Sequence, residues 1–316
     1  MRKTTMLLST LVVLPLAMPV VADTQWPTQD VTLVTHSSSG GGGDVMLRNM
    51  GRTLEQKFGI NTVVDNRVGG SGAVAMSWMA NQAPNDGYTI LSVTPTQLIT
   101  PLRAPGIPTY QDLTPIARLL TDPTTLYVHE NSQFESIEEL LQHARENPRS
   151  LSIGIGSAGS LDQLVLQNFA RETDIDVRTI PHEGGGDAVV ALLGEHVDAV
   201  IGEPGQALTH LESGTLRMLA VFQEERLETY PEVPTLQELG YEVISNKFRG
   251  VFGPPDMDPE LVEEIGHTLR DIVNDEPWKT YWGEGSMTPS YLGHEEFTEF
   301  LHVANEELRE FVEGLQ

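Results

Sequence analysis

VTLVTHSSSGGGGDVMLRNMGRTLEQKF, residues 31–58, divides into three parts. The first five residues are apolar or β-branched and alternate as a strand does. From Val45 onward, Val45, Met46, Met50, Leu54 and Phe58 fall near helical spacing. The run HSSSGGGGD at 36–44 is therefore a strand-to-helix turn. Its glycines and serines fold tightly and leave backbone amides uncovered. The first N–H groups of a helix have no partner within it, and the helix dipole makes that end positive. Such a turn suits an anion without any basic side chain. Asp44 is expected to serve the helix start, because its own charge repels an anion.

Outward from this turn, short β-like runs alternate with helical patterns. Strands are predicted over 31–35, 62–65, 88–93, 126–129, 151–155, 177–180, 197–201 and 216–222. Helices are predicted over 44–58, 73–83, 136–146, 160–172, 187–193, 204–212 and 259–274, with a closing amphipathic stretch over 295–316 that docks on a domain. Alternation of this kind means mainly parallel sheets flanked by helices, an α/β fold. The strand, Gly/Ser turn and helix recur at LSIGIGSAGS, 151–160, with Asp162 expected to serve that helix start. The two copies lie roughly 120 residues apart, about one small domain, so each is assigned to its own lobe. The expected division is a first lobe of 23–125 and 247–316 and a second of 126–246, with crossings in 115–129 and 243–253. A ligand cleft between two such lobes is a Venus-flytrap arrangement.

Residues 1–22 read as a secretory leader. Arg2 and Lys3 begin it, an apolar run follows, and Val20-Val21-Ala22 places cleavage after Ala22. Pro15 and Pro19 interrupt the run, which is short for a membrane span. The predicted location is the periplasm, as a monomer. The chain has no cysteine, which excludes disulfides, thiolate metal sites and a lipoprotein anchor. Its formal net charge is −26, which argues against nucleic acid or anionic membrane as a partner and suits a saline medium.

Enzymatic motifs fail on inspection. A dinucleotide-binding G-x-G-x-x-G needs glycine where Val45 stands, and no Gly-Lys-Ser/Thr follows the glycines. G-x-S-x-G is broken by Ile155 before Ser157 and by Ala73 after Ser71. The nine histidines show no metal-ligand spacing, so no metal and no cofactor are expected. NRVGGSG at 66–72, SVTPTQ at 92–97 and EGGGD at 183–187 instead add further turns at strand C-termini, where open α/β sheets bind ligands.

Taken in order, these motifs resemble a known family. GGGGD at 40–44, NRVGGSGAVA at 66–75 and DGYTI at 86–90 look like the solute receptors of tripartite tricarboxylate transporters, also called Bug-type receptors. HEGGGDAVVALLGEHVDAV at 182–200, LRMLAVFQEERL at 216–227, PEVPTLQELGY at 231–241 and FRGVFGPP at 248–255 extend the likeness over nearly the whole chain after the leader. GGSGAVA, EGGGD and Arg249-Gly250 are most similar to the tricarboxylate-receptor branch. Ser37, Ser38 and Ser39 depart from the family's usual Phe-Pro or Pro before the glycines and bring extra hydroxyls.

The resemblance implies a two-lobed periplasmic solute-binding protein without catalysis. It would bind a small carboxylate, di- or tricarboxylate, and deliver it to a permease with one large and one small membrane subunit. The ligand is expected between Ser38, Ser39, Gly40 and Gly41 of the first turn and Ser157 and Ser160 of the second. Ser71, Gly72, Thr94 and Thr96 would face it from the first lobe, Gly185 and Glu203 from the second. Arg249, at the return crossing, is either the cation for a second carboxylate or a surface ion pair. Two other readings stay open: the receptor of an ATP-driven importer, told apart by an ATPase among its gene neighbours, and an exported enzyme acting on a small acid.

Overall fold

The computed structural model describes residues 26–245 and 247–314; the expected leader lies outside them. Among the described residues, eleven strands and ten α-helices form two sheets with helices on their faces. The first sheet is built on β1 (Val31–Thr35), β2 (Thr62–Asn66) and β3 (Thr89–Val93), which run parallel with β1 in the middle. Next to β3 comes β10 (Lys247–Gly253), then β4 (Thr114–Asp122) and β11 (Thr288–Leu292), each antiparallel to its neighbour. The second sheet is built on parallel β6 (Ser152–Ile155), β7 (Arg178–Pro181) and β8 (Ala199–Gly202), extended by β5 (Thr125–His129) and β9 (Leu216–Val221). β5 runs antiparallel to both β8 and β9.

The sheets are therefore mixed, whereas the sequence led us to expect mainly parallel ones. The parallel part of each is the repeated strand–turn–helix unit. The antiparallel part comes from the crossings. β4 ends at Asp122 and β5 begins at Thr125, so two residues carry the chain from one sheet to the other. β10 returns beside β4, with Lys247 opposite Asp122. Thr124 and Ser245 join the two crossings through their hydroxyls at 2.8 Å.

Helices α1 (Gly42–Phe58), α2 (Ala73–Asn81) and α3 (Thr96–Arg103) follow the first-lobe strands, and α4 (Ile137–Glu146), α5 (Leu161–Thr173), α6 (Gly185–Leu193) and α7 (Pro204–Glu212) belong to the second. α1 buries Met46, Leu47, Met50 and Leu54 against β1 and α8 (Pro259–Val273), and ends on the left-handed Gly59. α9 (Glu276–Glu284) adds Trp278 to that core. α10 (His294–Gly314) does more than dock on one lobe. Phe297 and Leu301 enter a first-lobe core, while Val312 belongs to the main second-lobe core. Its 21 residues span about 30 Å, enough to reach both. Among the described residues, no helix is long and apolar enough to cross a membrane.

Candidate functional site

The turns at the C-terminal ends of the parallel strands meet across a cavity between the lobes. Its volume is about 60 Å3 measured at water centres.

The first-lobe wall begins at the start of α1. No side chain caps this helix at Gly41, and Gly42 and Gly43 line the cavity with His36 and Ser37. Asp44 turns back from it. Its carboxylate accepts from the Gly40 amide at 3.0 Å, from Arg48 at 2.8 Å and from Asn66 at 2.9 Å. Burial pushes the Asp44 carboxyl up, but the hydrogen bonds from Arg48, Gly40 and Asn66 outweigh it and hold it below its ordinary value. Asp44 thus serves the helix start.

Two further turns complete this wall. Ser71 and Gly72 lie in a 3-10 turn, both with positive φ, at 52° and 93°. A side chain at Gly72 would meet the Gln97 amide at 2.5 Å, so glycine is needed there for space as well as conformation. The Gln97 carbonyl in turn accepts from the Thr94 amide at 2.7 Å and braces Thr94, which faces the cavity with Thr96.

The opposite wall comes from α5, α6 and α7. Gly184 begins α6 without a side-chain cap, and Gly184 and Gly185 line the cavity. Ser157 and Ser160 line it from the turn before α5. Ser160 also caps that helix, accepting from the Gln163 amide. Asp162 stands in the first turn of that helix, as expected, but does not cap it. It lies in the cavity wall with its carboxylate on Lys247 at 3.0 Å, because the hydroxyl of Ser160 already fills the cap position.

Hydrogen bonds between the turns join the lobes around the cavity. Ser38 donates to Asp187 at 2.8 Å, Ser71 donates to the Ala158 carbonyl, and the Leu161 amide donates to Thr96 at 3.4 Å. Ser38, Ser39, Gly40 and Gly41 were expected on the ligand, and none of them lines the cavity. Ser38 is used in lobe contact, Ser39 and Gly40 are exposed, and the Gly40–Gly41 backbone abuts Gly186. The helix begins two residues earlier than predicted, at Gly42. The cavity-facing amides are shifted accordingly.

Beneath the turns lies a buried charged cluster. Lys247 and Arg249, two apart on β10, both point into the cavity, as strand periodicity requires. Lys247 pairs with Asp162 and Glu203, and Arg249 with Asp122, its Nε donating at 2.6 Å. Arg249 is 2% exposed, so it is no surface ion pair, yet its guanidinium borders the cavity directly over Gly42. Any side chain at Gly42 would collide with it. Burial opposes charge on Arg249, but the Asp122 carboxylate outweighs it and holds the guanidinium above its ordinary range. His36 shows the reverse. Burial first, then Lys247 and Arg249, lower its pKa to about 4, so its imidazole is neutral at pH 7.

Ser71, Gly72, Thr94, Thr96, Ser157, Ser160, Gly185, Glu203 and Arg249, all named from the sequence, thus line the same cavity. Lys247, His36, Gln206 and Asp162 were missed as cavity residues. Lys247 carried one local signal: with Arg249 it places two cations at alternate positions of an apolar run in a strongly acidic chain. Among the described residues, no three His, Asp or Glu side chains gather as a metal site. Chemically, the arrangement offers uncapped helix N-termini and hydroxyls to an anion, with buried charges already paired behind them.

Comparison with known proteins agrees with this geometry. A family model described as tripartite tricarboxylate transporter family receptor matches residues 46–312. Over 263 residues the chain is 33% identical to protein BugT of Bordetella pertussis, covering 82% of this chain and 80% of that protein. An R. palustris protein solved with adipate superposes with a TM-score of 0.86 at 26% identity, over 92% of this chain and 98% of that one. The periplasmic binding protein BugD shares the fold, with a TM-score of 0.85 at 22% identity, over 92% of this chain and 98% of that chain.

Proposed function

The chain belongs to the tripartite tricarboxylate transporter receptor family, and from that premise we propose that it is an extracytoplasmic receptor for a small di- or tricarboxylate. The receptor is exported by the leader over 1–22, holds its ligand between lobes of 23–125 with 247–316 and of 126–246, and passes it to a permease of two membrane subunits. One observation carries the reading. The N-termini of α1 and α6, from opposite lobes, meet across one cavity and neither has a side-chain cap. Unpartnered amides at positive helix ends attract an anion from both sides. The Arg249 guanidinium, paired with Asp122, borders the cavity over the start of α1. The cavity's small volume fits a compact acid, and the adipate seen in the R. palustris relative is of this class.

A thermal-shift screen of mono-, di- and tricarboxylates tests this. A ligand that binds only the folded state raises the melting midpoint, by about 2.7 kcal/mol of stabilisation at a hundredfold excess over Kd. At least one di- or tricarboxylate is expected to do so and to be recovered chemically unchanged. Stabilisation by none of them, with stabilisation by a cationic or neutral solute, would overturn the reading; so would turnover of the ligand.

A further inference from the structure

The carboxylates around the cavity outnumber the cations. Asp122, Asp162 and Glu203 are buried there against Lys247 and Arg249, three formal negative charges to two positive. Each cation already faces a protein carboxylate. A simple dicarboxylate would bring two more negative charges into a space where none is left to match them, and burying unmatched charge is costly.

Glu203 is where the imbalance falls. It is 1% exposed and lines the cavity at the start of α7. Its side chain makes no cap bond, and Lys247 is its sole ionic partner among the described residues. A carboxylate offers about four lone-pair positions, and Oε2 has no hydrogen-bond partner. Gln206, three residues on and so on the same helix face, also lines the cavity, and its Oε1 is likewise buried without a donor. The cavity therefore has two poles. The uncapped starts of α1 and α6 offer donors, and the Glu203 and Gln206 side chains offer acceptors.

We infer that the ligand is an amino-bearing carboxylate, with its carboxylate on the helix starts of α1 and α6 and its ammonium group on Glu203 and Gln206. The ammonium supplies the donors that the two side chains lack, and it halves the negative charge brought in: an amino dicarboxylate adds one net negative charge where its parent adds two. This rests on the receptor reading above and narrows its ligand class.

Isothermal titration of the purified protein with matched acids tests it. The series pairs succinate with malate and aspartate, glutarate with 2-hydroxyglutarate and glutamate, and adipate with 2-aminoadipate. In at least one chain length the amino acid is expected to bind tenfold or more tighter than its unsubstituted parent. In Glu203→Gln that gap should fall below threefold. Folding of the variant is checked by its melting curve, and the wild-type series decides the matter even if the variant does not fold. Parents binding as tightly as their amino derivatives would overturn the inference while leaving the carboxylate receptor intact. Preference for the hydroxy acid alone would overturn the ammonium. Binding of no carboxylate at all would instead remove the receptor reading on which it stands.

Discussion

His36 follows the first strand, with its imidazole beside two buried cations and its Nδ1 without a hydrogen-bond partner. Its folded value of about 4 lies below its ordinary 6.5. Between those values the unfolded chain takes up a proton that the folded chain refuses. The stability from burying the neutral ring is thus complete above pH 6.5 and is lost as pH falls towards 4, amounting to about 3 kcal/mol at most. In His36→Gln, unfolding free energy should fall less steeply between pH 6.5 and 4 than in the parent, as read by urea titration at several pH values. Parallel pH profiles would place the acid sensitivity elsewhere. His36 opens the turn from which the sequence was read, yet nothing in HSSSGGGGD marks it as a cavity residue. The reason is general to this site. Backbone-built parts, such as Gly72, Ser157 and Gly185, are legible because turn chemistry is local. The charged cluster is not, because Asp122, Asp162, Glu203 and Lys247 come from four separate elements and gain meaning only when the lobes meet.

At the scale of elements, β10 ties the site to the rest of the fold. Lys247 and Arg249 face the cavity, while Phe248, Gly250 and Phe252 face α10. Phe297 of α10 packs on Phe248 and Phe252, with ring centroids at 5.7 and 5.9 Å, and lies over Gly250. Phe297→Ala should cost about 3–5 kcal/mol, since the ring is fully buried. It should also weaken ligand binding, because the strand that positions both cations loses its support. Urea unfolding and titration of the same variant check both effects; loss of stability with unchanged affinity would separate helix from site. The strands and helices of the repeated unit were readable from periodicity, but β4, β10, β11, α3 and α9 were not. β4 opens with Thr114-Pro115, and α3 contains Pro101, both signals of interruption. From sequence alone, β10 is a crossing between lobes. Its partners are β4 and β3, more than a hundred residues away, and no local pattern announces a pairing at that range.

On the scale of the whole molecule, the formal charge of −26 repels any carboxylate that approaches. The site must therefore attract at short range what the surface repels at long range. Its cations do not act as an exposed lure: Lys247 and Arg249 are buried and paired with protein carboxylates. What remains for the anion is the set of amides at helix starts, enclosed by the Ser38–Asp187, Ser71–Ala158 and Thr96–Leu161 contacts. Short contacts in an enclosed cavity are screened little by salt, whereas the repulsive outer field is screened strongly. Raising salt from about 0.05 to 1 M, which shortens the Debye length from over 10 Å to ~3 Å, should then speed association or leave it flat. Dissociation should change little, so affinity holds or rises. Stopped-flow binding across that range, on protein shown to stay folded, measures both rates. A receptor that recruits its ligand with exposed lysines and arginines behaves the opposite way, and a steep loss of affinity with salt would assign recognition to surface cations in place of the helix starts.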